Sequence, residues 1–252
     1  MLLMLGAHQP IPSGGFLQVK RQTVVPPLNK IQIYLEIGKQ RVFAGAVDWP
    51  GWTRSGREEE SAIRALVEYG ARYARAIESA RLEFQPPADD SALTVIERLK
   101  GDTTTDFGSP GTPPKSDSKP MDANLLRRSE AILKSCWRTF DRAVRAAEEK
   151  ALRKGPRGGG RELDEIVRHI LEADAAYLAK IGWPFQQDAT PDTAAELRRT
   201  RGAILEGLAS AAGGKLPVRG PRGGLRWTPR YFVRRVAWHA LDHAWEIEDC
   251  AK

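Results

Sequence analysis

The stretch RVAWHALDHAWEIED, residues 235–249, carries two of the four histidines in a chain of 252 residues. His239 and His243 stand four apart. Phe232, Val236, Ile247 and Cys250 continue the same row on either side. Residues four apart on a helix share a face, with Cβ atoms about 5–6 Å apart. The segment reads as a helix whose two imidazoles sit on an apolar stripe that faces the interior of a helical assembly. Thr228 and Pro229 start it: a hydroxyl cap, then a residue already locked at a helical φ.

Three segments upstream share this period. Residues 121–154 place Leu125, Leu126, Ile132, Leu133, Cys136, Trp137, Phe140 and Val144 on one face, and GPRGGG, 155–160, breaks the run. Residues 161–182 place Leu163, Ile166, Val167, Ile170, Ala173 and Tyr177 inward, with His169 beside them. Residues 190–214 open on Thr190-Pro191 and close on Gly213-Gly214. Four helices with short breaks predict an all-α four-helix bundle over 121–252.

His169, His239 and His243 thus converge on one core by independent phase arguments. Three imidazoles leave one position of a tetrahedral ion open, as catalytic zinc sites do. The second nitrogen of each ring needs an acceptor. Glu172, Asp242 and Glu246 lie within a turn of a ligand and are the candidates. Ala240 follows His239, so the H-E-x-x-H pattern of zincin proteases is absent.

Residues 121–252 resemble the DinB-like superfamily, which includes metal-dependent thiol S-transferases. DEIVRHILEADAAYLAKIG resembles its second helix, and RVAWHALDHAWEIED its fourth, so all three family ligand positions are matched. The resemblance implies one divalent ion, zinc or nickel, held by His169, His239 and His243. It also implies a low-molecular-weight thiol cofactor and transfer to a small-molecule electrophile. A coordinated thiol is deprotonated, which makes it a nucleophile. Such thiols are polar and partly anionic, so Arg235, one turn before His239, is a candidate contact. Metal-dependent hydrolysis is the neighbouring reading. The competing class is a non-catalytic module in which the metal stiffens the bundle and the N-terminal domain binds a partner.

The first half has a different character. Residues 1–29 read as a tail, 30–100 as a small α+β domain, and 101–120, rich in Gly, Pro, Ser, Thr and Asp, as a linker. Runs 31–37 and 41–47, joined by Gly38-Lys39-Gln40, predict a hairpin. DWPGWTRSG, 48–56, reads as a loop. Residues 57–80 predict a helix through Ile63, Leu66, Val67 and Ala74, with Ser55 as a cap and Glu58–Glu60 at its positive end. Residues 92–99 predict a strand, which makes the order β-β-α-β. VFAGAVDWPGWTRSGREEESAIRALVEYG resembles the HicB-like antitoxin fold, with Asp48, Pro50, Gly51, Gly56 and Glu59 in matching places. Trp52 stands where that fold usually has a small residue or Cys. Trp49 and Trp52 cover the hairpin or the bundle, or line a groove.

The formal charge is +7, of which residues 1–120 carry +1 and residues 121–252 carry +6. The arginines alternate with acids and no aromatic ladder accompanies them, so nucleic acid is not an expected partner. No apolar run approaches the roughly 20 residues of a spanning helix, and no membrane partner is expected. Two isolated cysteines, Cys136 and Cys250, suit a reducing cytoplasm and are expected as buried thiols. A homodimer is left open.

Overall fold

The computed structural model describes residues 30–150, 152–153, 162–188 and 192–251. The expected tail 1–29, the break at 155–160 and the Thr190-Pro191 start lie outside the described residues. A small mixed sheet comes first and a set of helices follows. Strands β1 (Ile31–Ile37), β2 (Val42–Ala46), β3 (Thr53–Gly56) and β4 (Leu93–Lys100) form one sheet of order β3-β2-β1-β4. β1 pairs antiparallel with β2, from Ile33 opposite Ala46 to Ile37 opposite Val42, and parallel with β4. The parallel pair needs a crossover, which α1 (Glu59–Glu68) and α2 (Gly70–Ile77) supply.

Two features differ from the β-β-α-β reading. Residues 53–56 form a third antiparallel strand inside the expected loop, paired to β2 through backbone groups. The expected single helix is two, jointed at Tyr69, where a Cβ on Gly70 would meet Pro87 at 3.0 Å. Ser55 caps nothing: it sits in β3 and accepts a hydrogen bond from Arg41 at 3.1 Å. The α1 terminus is held instead by Glu58, whose amide donates to Ser61 Oγ at 3.0 Å. Glu59 and Glu60 do occupy the first turn, where acids meet the positive helix end.

Residues 101–120 are packed. The short helix α3 (Thr103–Phe107) is capped by Asp102, and Lys115–Ser118 form a 3₁₀ turn. The anchor is Glu36 of β1, a fully buried carboxylate. It accepts from Thr105 Oγ1 at 2.5 Å, Gly111 N at 2.8 Å and Thr112 N at 3.1 Å. Burial pushes its pKa up, and those donors push the other way. A buried acid without such donors would cost several kcal/mol.

Four longer helices follow: α4 (Ala123–Ala147), α5 (Leu163–Ile181), α6 (Thr193–Ala212) and α7 (Pro229–Cys250). Thr228 caps α7 by accepting from Tyr231 N, and Pro229 occupies its first turn, as the sequence predicts. Asp192 caps α6. Of the 22 residues of α7, 15 are buried, so this helix is central rather than a surface element. It packs on α4, α5, α6 and the Lys115–Ser118 turn.

One hydrophobic cluster joins both halves of the chain. Ile33, Leu35 and Ala44 of the sheet belong to it, with Leu66, Ile132, Leu133, Phe232, Val236 and Leu241. Trp52 is fully buried in it, stacked on Tyr73 at 5.9 Å, and its indole donates to Leu66 O at 2.9 Å. Trp49 lies edge-on to Phe84 at 4.8 Å. Both tryptophans therefore cover apolar surface. Gly51, at φ 94°, lets the loop approach α7: a Cβ there would meet Leu241 at 3.1 Å and Ala237 at 3.2 Å. Cys136 is buried and its thiol pKa is pushed up by burial, whereas Cys250, expected as buried, is half-exposed. No helix among the described residues is long and apolar enough to cross a membrane.

Candidate metal centre

The helical phases of α5 and α7 bring three imidazoles together. His239 and His243 project one turn apart from α7 and are 5% and 7% exposed. His169 projects from α5 and is half-buried. Their ring centroids lie 4.6–5.0 Å apart, with planes 71–84° to one another. His239 Nε2 is 3.1 Å from His169 Nε2 and 3.1 Å from His243 Nε2. All three ligand atoms fall within 4.8 Å of one another.

This geometry can be tested against a metal. Two imidazole nitrogens on one zinc-like ion at about 2.0–2.1 Å stand roughly 2.9–3.4 Å apart, from right-angled to tetrahedral coordination. The 3.1 Å separations fall inside that interval. An N–H on one ring serves one neighbour at most, while a central cation satisfies all three lone pairs at once. The donor set fits a divalent first-row ion, for which neutral imidazole is a standard ligand.

The acid candidates fare differently. Glu246 Oε2 accepts from His243 Nδ1 at 2.6 Å. That bond places the ring proton on Nδ1 and leaves the Nε2 lone pair facing the other two rings. Asp242 faces the sheet instead and pairs with Arg54 of β3 at 3.1 Å. Burial raises its pKa, with Arg54 pulling it down. Glu172 is exposed, beside a surface hollow it shares with Arg168 and Asp188. Glu246→Gln is expected to weaken metal affinity about 10–100-fold while His169, His239 and His243 stay in place. Competition with a chromophoric chelator measures this, and an unchanged affinity would deny Glu246 an orienting role.

Arg235 is buried, at 6% exposure. Its guanidinium donates to Pro110 O, to Ser109 Oγ at 2.9 Å and to the Tyr177 hydroxyl at 2.9 Å, and lies 4.9 Å over the Trp238 ring. It therefore ties α7 to α5 and to the 109–110 segment. Tyr177 and Trp238 in turn flank His239, with centroids at 5.8 and 5.9 Å. Sequence reasoning placed Tyr177 in the core and missed its place at the histidines. Its signal was present: it lies eight residues after His169, two turns along the same stripe. Arg54 carried no such signal, because it comes from the other half of the chain.

Compared with family models, with curated proteins and with solved structures, the chain has no match.

Proposed function

We propose that α4–α7 form a DinB-like four-helix bundle in which His169, His239 and His243 hold one divalent ion, zinc or nickel. The observation that carries this reading is the convergence of three Nε2 atoms at metal-ligand spacing. Bound there, the ion would lower the pKa of a low-molecular-weight thiol or a water and so supply a nucleophile at neutral pH. The proposed activity is transfer of that thiol, or hydrolysis by water, at a small-molecule electrophile. Within the chain, Glu246 holds the His243 proton on Nδ1. Tyr177 and Trp238 wall the His239 side and restrict water, and Arg235 fixes Tyr177. The HicB-like sheet supports α7 through Arg54 and Asp242.

A second reading, a structural ion in a non-catalytic module, is favoured by the burial of His239 and His243. Elemental analysis tests the site itself. The wild type should carry about one equivalent of metal, and the His239→Ala, His243→Ala double variant close to none. Equal metal content in both would remove the site. Adding a small thiol to cobalt-loaded protein separates the two readings. A new thiolate-to-cobalt absorption band supports the transferase, and an unchanged spectrum supports the structural ion.

A further inference from the structure

The segment after α6 carries a second feature, independent of the histidines. Residues 207–241 contain no Asp or Glu and seven Lys or Arg side chains. Arg234 and Arg235 are buried, which leaves five on an acid-free stretch. Within it, residues 218–226 form a tight hairpin. Arg226 N donates to Val218 O at 2.9 Å, Gly220 N to Gly224 O at 2.9 Å, and Gly223 N to Gly220 O at 2.9 Å. Arg219 faces Leu225 in a β-bridge and its guanidinium closes the turn on Gly223 O at 2.6 Å. The root is fixed: Trp227 N donates to Lys180 O at 3.0 Å, and its ring packs on Tyr177 and Tyr231.

On its two legs this hairpin shows two aliphatic side chains to solvent, Val218, paired with Arg226, at 72% and Leu225, paired with Arg219, at 71% exposure. Lys215, Arg219 and Arg222 are exposed around them. Among the described residues, nothing packs over either aliphatic side chain enough to take it out of water. We infer that this arm docks the protein on an anionic lipid surface, with Val218 and Leu225 entering the headgroup–acyl boundary and the basic side chains meeting lipid phosphates and carboxylates. Peripheral segments combine exposed apolar side chains with basic neighbours in this way, and each basic residue near an anionic leaflet adds attraction. Nucleic acid fits less well. Non-specific strand binding uses exposed aromatic rings for stacking, whereas Trp227 packs at the root of the arm and Tyr231, Phe232 and Trp238 are buried. The absence of a spanning helix concerns a different mode of attachment.

Co-sedimentation of the full chain with phosphatidylcholine vesicles, with and without phosphatidylserine, tests this. The protein should pellet with the serine-containing vesicles and not with the neutral ones. Val218→Ser with Leu225→Ser, and separately Lys215→Glu with Arg222→Glu, should each lower vesicle affinity about tenfold or more. All four positions are exposed, so thermal melts should match wild type and exclude unfolding as the cause. Equal pelleting with both vesicle types, or variants that bind as wild type does, would overturn the inference. So would tighter binding to a short duplex or single-stranded oligonucleotide than to the anionic vesicles.

Discussion

Arg234→Leu should lower the unfolding free energy by about 3–5 kcal/mol, the cost of breaking a buried ion pair from one side. Arg234 is 4% exposed and Asp117 is 2% exposed. The guanidinium donates to both Asp117 oxygens at 2.7 Å, to Ala46 O at 2.7 Å and to Val47 O at 2.9 Å. The leucine would leave a carboxylate and two carbonyls buried without those donors. Against a typical stability of about 5–15 kcal/mol, that loss is large. Urea denaturation of wild type, Arg234→Leu, Asp117→Asn and the double variant forms the cycle. The coupling between the two positions should exceed about 1 kcal/mol. A loss under about 1 kcal/mol for Arg234→Leu would mean that the apolar cluster alone joins sheet to helices.

The second large effect concerns Asp174 of α5, 3% exposed, whose pKa burial raises to about 7 against the opposing pull of Arg201. Unfolded, an aspartate titrates near 3.9. Between about pH 4 and pH 7 the native state therefore binds more protons than the unfolded state. Stability contributed by the protonated acid is then lost as pH rises through that window. A shift of about three units corresponds to roughly 4 kcal/mol. Asp174→Asn should raise stability at pH 8 by about 2–4 kcal/mol and change it little at pH 4. Denaturant titrations at the two pH values measure this. A variant no more stable than wild type at pH 8 would show that Arg201 keeps Asp174 charged at little cost.

The α7 start, the inward stripes and the closeness of the three histidines were legible because each follows from local sequence pattern. His169, His239 and His243 each lie on their own apolar row, and Thr228-Pro229 marks a helix start without help from tertiary structure. The edge strand β3 was not legible: in Thr53–Gly56 only Thr53 favours a strand, and the pairing to β2 runs through the backbone. Residues 101–120 have the composition of a flexible connection. Thr105, Gly111 and Thr112 instead donate to the buried carboxylate of Glu36, a contact 75 residues away at Gly111. Nothing local marks Arg234 and Asp117 as a buried pair, because charged side chains are mostly exposed and their pairing spans 117 positions. Asp242 and Glu246 show the same limit at close range. Both lie a turn from a histidine, yet only Glu246 has a ring nitrogen bond, and Asp242 was drawn off by an arginine 188 residues earlier.

The reach of Arg234 also sets a clock on biosynthesis. The carbonyl of Val47, just past the end of β2, waits for a guanidinium made 187 residues later. At about 5–20 residues per second, that interval is roughly 10–40 s. During it the apolar side of the sheet that belongs beneath α7 is open to the ribosome's surroundings. Nascent chains of this protein are thus most exposed to holdase chaperones before Arg234 emerges, and the sheet can close its core only once α7 has followed.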